Sequence, residues 1–277
     1  MVPILSILLM VVSLLICFGV PIVLAVCFKK KGLSTWGVFF IGMLGFVILQ
    51  VVIRIPILQL ITTQSWYISL SQNLLYLSLF LGITAGLFET VGRFLVFKLL
   101  LKKRRTYGDG LMAGLGHGGI EAILLVGLTY INNIVFSIFI NMGISDMLLG
   151  ASSKLPEAQA GLEATVTALT HTPSIHFLFG GIERILTIIF HMALSLLVLE
   201  GIKRKKAFLY MFFAFLIHAL LDFSAVYLGL NGVNIMLIEL IVLGVALIGL
   251  WYILTAKKRF LALDSKSHIT VEDALAN

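Results

Sequence analysis

Apolar positions along this chain come in long unbroken runs and do not alternate with polar ones. Seven stretches qualify, at approximately 3–28, 35–61, 72–100, 109–138, 174–200, 207–228 and 233–256. An α-helix rising about 1.5 Å per residue needs roughly 20 apolar residues to cross the hydrocarbon, and each run meets that length. Barrel strands would alternate apolar and polar residues, so a β-barrel is excluded. The pattern therefore predicts an all-α, polytopic membrane bundle of about seven transmembrane helices, forming one domain over 1–260. Two stretches break it. Within the connection 141–173, Leu155, Leu162, Val166 and Leu169 fall near one helical face, which predicts an amphipathic helix lying on the membrane. The polar residues 261–277 predict a short, mobile cytoplasmic tail.

Composition agrees with the pattern, since 60% of the residues are hydrophobic and 12% charged, with a mean hydropathy of +1.10. No single core could hide that much apolar surface from water. The net charge of +7 matters through its placement. Basic residues gather at alternate segment ends: Lys29, Lys30 and Lys31; Lys98 with Lys102, Lys103, Arg104 and Arg105; Lys203, Arg204, Lys205 and Lys206; Lys257, Lys258 and Arg259. The connections 62–71 and 229–232 carry no Lys or Arg, and 141–173 carries only Lys154. By the positive-inside rule the N-terminus is outside and the C-terminus cytoplasmic, and these runs meet lipid headgroups, not nucleic acid. The first segment lacks a basic leader and a cleavage pattern, so it is expected to stay as a helix. Cys17 and Cys27 both lie in it, without metal or disulfide spacing, and are expected to pack.

Ionisable residues inside the segments are the informative exceptions, because each costs several kcal/mol near the bilayer centre, roughly 2.5–3.5 for Asp, Lys or Arg. The third segment holds Glu89 and Arg93, the fourth His117 and Glu121, the fifth Glu183, Arg184 and His191, the sixth His218 and Asp222. Counting helical rise from the predicted ends puts Glu89, His117, Glu121, His191 and His218 in the middle third of the membrane. Glu89 with Arg93, His117 with Glu121, and His218 with Asp222 are spaced i, i+4, so each pair shares a helix face. The expectation is a polar cavity among helices 3 to 6. Arg54, Glu200 and Glu239 lie nearer predicted ends, where snorkelling accounts for them. Taken singly, an intramembrane ion pair can simply fix helix packing, and a buried histidine can be a satisfied hydrogen-bond partner. Gly114, Gly116, Gly118 and Gly119 have two readings as well: close helix contact, or bare backbone beside His117 for an extended substrate.

Carboxylates, histidines and guanidinia in a desolvated pocket can activate water and stabilise an oxyanion. No serine triad and no His-Glu-x-x-His zinc helix occurs. The motifs "FETVGR" at 88–93, "YGDGLMAGLGHGGIEAILL" at 107–125, "ERILTIIFH" at 183–191 and "HALLDF" at 218–223 together resemble the YhfC family of bacterial membrane proteins. More remotely they resemble the Abi/CAAX prenyl endopeptidases, the PrsW intramembrane proteases and the Aph subunit of gamma-secretase. The resemblance covers roughly 85–225.

It implies Glu89 as the water-activating base with Arg93 as its partner, His191 as the later histidine, and His218 with Asp222 at the closing His-x-x-x-Asn position. Asp109, Gly110, Gly114, Gly116 and Glu121 fall on the Gly-rich stretch of PrsW proteins. Two departures stand out: a single Glu occupies the first motif, flanked by Phe88 and Thr90, and Asp222 replaces the usual Asn. The implied activity is an intramembrane endopeptidase of the bacterial cytoplasmic membrane, acting on a membrane-embedded or membrane-associated peptide. Glu89, Arg93, His117, Glu121, Arg184, His191, His218 and Asp222 are its candidate catalytic residues. Two mechanisms stay open: a glutamic one, and one using Zn2+ held by His117, His191 and His218. Two other classes stay open as well, a proton- or ion-coupled transporter and a non-catalytic, Aph-like membrane scaffold.

Overall fold

The computed structural model of the chain describes residues 1–145 and 156–276. The predicted runs all become helices: α1 Ile4–Lys30, α2 Trp36–Ile61, α4 Leu74–Leu100, α5 Tyr107–Asn141, α7 Ser174–Lys203, α8 Ala207–Leu230 and α9, of which Ile235–Ser265 is the apolar span. A short α3 over Ser65–Ser71 and α6 over Pro156–His171 lie between them. No strand occurs among the described residues. The protein is an all-α, multi-pass membrane protein with seven helices long and apolar enough to cross a bilayer.

The helices start and stop where local chemistry satisfies their free ends. Asn73 caps α4, its side-chain oxygen accepting from the amides of Leu75 at 3.0 Å and Tyr76 at 3.3 Å. Thr106 and Asp109 cap α5 reciprocally: Asp109 Oδ2 accepts from the Thr106 amide at 3.2 Å, and Thr106 Oγ1 accepts from the Asp109 amide at 3.1 Å. Ser34 also donates to Asp109 Oδ1, at 2.6 Å. Asp109 is thus occupied as a helix cap. Arg105 closes the end of α4 by donating twice to the Phe97 carbonyl, at 3.1 and 2.9 Å. Among the described residues three spans widen into π-helical turns, Val47–Arg54 within α2, Val96–Leu100 within α4 and Ala122–Gly127 within α5.

The chain divides into two compact units, Met1–Val20 with Glu121–Ile185, and Pro21–Ile120 with Leu186–Asn277. In the first, Asn141 clasps the N-terminus, accepting from the Val2 amide at 2.7 Å and donating to the Val2 carbonyl at 3.0 Å. Its core joins Val2, Met10, Tyr130, Ile140, Leu169 and Phe177, with Val166 packed against them. This corrects the expectation for the amphipathic helix: Val166 and Leu169 turn their face onto protein, because a ready apolar core lies beneath it. Leu155 lies outside the described residues.

In the second unit, Glu200 is buried and held by Tyr252 Oη at 2.7 Å, Arg204 Nε at 2.8 Å and Arg259 Nε at 3.2 Å. Snorkelling does not describe it, for its carboxylate ties α7 to α9. Helix α9 runs on to Ala276, so the stretch read as a mobile tail continues the last helix. Cys17 is buried as expected, whereas Cys27 is exposed.

Candidate metal centre

The second unit gathers its buried ionisable groups around one oxygen. Glu89 Oε2, on α4, lies 3.0 Å from His117 Nε2 of α5 and 3.1 Å from Arg93 Nη2 one turn along α4. His218 Nε2 of α8 is 3.5 Å away and His191 Nδ1 of α7 is 3.8 Å away. All five side chains are almost wholly buried. Four helices therefore deliver one group each, with Arg93 as a fifth, and the i, i+4 spacing of Glu89 and Arg93 puts both on the face that meets them.

Neighbouring groups fix where the ring protons sit. Arg93 Nη2 donates to His191 Nδ1 in a close contact, so that nitrogen presents its lone pair. Arg93 Nη1 faces His218 Nδ1 at 3.5 Å, while His218 Nε2 faces two carboxylates, Glu89 at 3.5 Å and Asp222 Oδ2 at 3.4 Å. The tautomer that suits both neighbours has its proton on Nε2. His117 likewise donates from Nε2 to Glu89. Glu89 and Arg93 cancel in charge, which a low-dielectric site requires of buried ions. Aromatic faces seal the cluster: Phe46 lies edge-on to His117 with centroids 5.2 Å apart, and Phe190 meets His191 and His218 at 5.5 Å each.

Glycine decides how closely α5 approaches. A Cβ at Gly118 would stand 3.0 Å from the His191 side chain, and one at Gly114 would stand 2.6 Å from the Met192 backbone. Helix α7 thus fills the side of α5 that could have been an approach for an extended substrate, and close packing is the role these glycines serve. The free space beside His117 in this unit is small. Gly42, Arg93, Val96, Phe97, Ala113, His117 and Ser195 line a space of about 10 Å³, room for about one water.

Two functional groups escaped the sequence reading. Gln50, buried in the π-helical turn of α2, donates from Nε2 to Glu89 Oε1 at 2.5 Å. Arg54 then fixes the Gln50 amide by donating to its Oε1 at 3.2 Å, and is itself anchored on Thr84 Oγ1 at 3.2 Å and the Leu81 carbonyl at 3.0 Å. Arg54 does not snorkel; it faces inward and orients Gln50. A lone Gln in an apolar run was the available signal. Glu121 and Arg184 belong to the first unit, where Arg184 Nη1 donates to Glu121 Oε1 at 3.2 Å and Nη2 donates to Glu183.

The donors suit a metal ion in kind and spacing. One ligand atom from each of Glu89, His117 and His191 lies within 4.8 Å of the others. Imidazole nitrogen with carboxylate oxygen is the set zinc takes in hydrolytic sites. Arg93 now contacts two of these atoms, Glu89 Oε2 and His191 Nδ1, and an ion held by His191 Nδ1 would displace the guanidinium from it.

Comparison with known proteins is consistent with this picture. A family model described as YhfC intramembrane metalloprotease matches residues 15–242. The uncharacterized membrane protein YhfC of Bacillus subtilis (strain 168) is 36% identical over 253 residues, covering 88% of this chain and 94% of that protein. No solved structure matches.

Proposed function

The chain belongs to the YhfC family, and on that premise we propose that it is a metal-dependent intramembrane endopeptidase, cutting a peptide bond within or beside the bilayer. The observation that carries this is the convergence of His117, His191 and His218 on Glu89 Oε2, at 3.0–3.8 Å, from four membrane helices. His117, His191 and His218 hold the ion, for which Zn2+ suits the donor set best. Bound there, it supplies the Lewis acidity that polarises a carbonyl and acidifies water.

The chain's own groups do the rest. Glu89 accepts a proton from the attacking water at Oε2 and returns it to the leaving amine. Gln50, donating to Oε1, leaves Oε2 as the oxygen facing the histidines. Asp222 Oδ2, 3.4 Å from His218 Nε2 and one turn along α8, steadies that ring. Arg93, released from the carboxylate, is the cation nearest to a developing oxyanion. The aromatic walls limit water to what the reaction uses.

The basic ends of alternate spans support an outer N-terminus and a cytoplasmic C-terminus in a bacterial cytoplasmic membrane. The test is hydrolysis by the purified full chain in liposomes of a fluorogenic transmembrane peptide library. Cleavage that a membrane-permeant chelator stops, and that Glu89→Gln lowers at least about a thousandfold, is expected. Cleavage indifferent to both, or its absence together with proton or ion flux lost in Glu89→Gln, would overturn the proposal.

A further inference from the structure

Helices α4 and α8, which carry Glu89 and His218, pack backbone to backbone along one stretch and part along the next. A Cβ on Gly82 would lie 2.6 Å from the Ala219 carbonyl oxygen, and one on Gly86 would lie 2.9 Å from the Ala219 amide nitrogen. One turn further on, the small residues give way to Thr90 and Val91 on α4, facing Phe208, Met211, Phe212 and Phe215 on α8. There the helices leave a groove of about 200 Å³, lined also by Leu87. Its outer rim is open to the surroundings, with Phe208 86% and Phe212 49% exposed. Its inner end touches the centre described above: Thr90 follows Glu89 directly, and Phe215 stands one helical turn before His218.

One group in that lining is out of keeping with the rest. Thr90 is 2% exposed and its hydroxyl has no hydrogen-bond partner among the described residues, while every other lining residue is apolar. A buried hydroxyl left unpaired costs roughly 1–3 kcal/mol. A helical threonine ordinarily removes that cost by bonding back to the carbonyl one turn earlier.

We propose that this groove admits an unwound apolar peptide segment from the bilayer, taking a side chain among Phe208, Phe212 and Phe215 and bonding one backbone carbonyl to the Thr90 hydroxyl. The occupant follows from the chemistry of the gap. An acyl chain carries no acceptor at that depth and would leave the hydroxyl as it is. A peptide opened for hydrolysis in lipid has carbonyls that have lost their helical partners and must find donors. Thr90 is such a donor, set one residue from Glu89. The assignment rests on the peptidase reading for its purpose, but capture by the groove requires no bond to be cut.

The test places p-benzoylphenylalanine at Phe212 in the full chain, reconstituted in phosphatidylethanolamine–phosphatidylglycerol vesicles. The probe is a radiolabelled Leu/Ala-rich transmembrane peptide with a central Gly-Pro pair to unwind it. Illumination should link the peptide to the protein, with competition by unlabelled peptide. Thr90→Val should lower the yield about fivefold, the loss of one hydrogen bond, and Thr90→Ser should restore it. Links to lipid alone, or equal yields for Thr90 and Thr90→Val, overturn the inference; should Thr90→Val not fold, the competed link at Phe212 decides by itself. Peptide captured but never cut keeps the groove and removes the peptidase. Peptide cut without any link at Phe212 does the reverse.

Discussion

Gln50 Nε2 donates to Glu89 Oε1 at 2.5 Å, joining a neutral amide of α2 to the carboxylate at the centre of the cluster. Glu89 thereby has one oxygen engaged and the other turned to the three histidines. Gln50→Leu leaves a buried carboxylate oxygen without its donor, at a cost of roughly 1–3 kcal/mol. Thermal unfolding in detergent should register that loss, and turnover should fall more than KM rises. An unchanged melting midpoint would mean that Glu89 does not depend on Gln50.

Arg184 and Glu121 form a buried pair in the first unit, with side chains 10% and 12% exposed. Breaking a buried pair by removing one partner typically costs about 3–5 kcal/mol, and the loss should be larger for Arg184, which also holds Glu183. Arg184→Leu and Glu121→Leu should each destabilise strongly, and the double variant should lose clearly less than the two losses combined. Additive losses would show that the two groups are not coupled.

Gly114 has no room for a methyl group, since its Cβ would meet the Met192 backbone at 2.6 Å. Backbone cannot rotate out of the way, so Gly114→Ala should cost about 1–3 kcal/mol by overpacking. Gly161, whose Cβ position is open, is the control: Gly161→Ala should be neutral or slightly stabilising, as helical propensity directs. Equal effects at the two positions would contradict the close approach of α5 to α7.

Lys205 ends α7 in the left-handed region, with φ 58°, a conformation that a side chain disfavours and glycine adopts freely. Its neighbour's amide closes the turn, Lys206 donating to the Gly201 carbonyl at 2.8 Å. Lys205→Gly should stabilise the protein by about 1 kcal/mol, the relief of a left-handed side-chain conformation, read as a higher unfolding midpoint. A lower midpoint would mean that the lysine side chain holds this turn by contacts of its own.

How much of this the sequence carried depends on what each residue signals. The seven spans were legible because lipid demands long apolar runs and nothing else in the chain resembles one. Glu89, Arg93, His117, His191 and His218 were legible because charge and imidazole are rare at that depth, and i, i+4 spacing put partners on one face. Gln50 was not, since an uncharged amide draws no attention, and the π-helical turn shifts its direction from the one a 3.6-residue repeat predicts. Arg54 was misread because distance from a helix end says nothing about an inward partner such as Gln50. Glu121 was legible from its shared face with His117, whereas its hydrogen bond from Arg184 is a pairing that only tertiary structure selects. The glycines carried two meanings, and the position of His191 against Gly118 chose between them.

Which residues hold the ion is read from the metal content of the purified full chain by mass spectrometry, compared across four variants that remain folded. Wild type should carry about one divalent ion per chain, and Glu89→Gln, which removes a proton acceptor and keeps every histidine, should retain it. His117→Ala, His191→Ala and His218→Ala should each lose most of it, as the loss of one ligand in a three-histidine site entails. Wild type that cleaves peptide with no ion bound, or histidine variants that hold as much metal as wild type, would contradict the account.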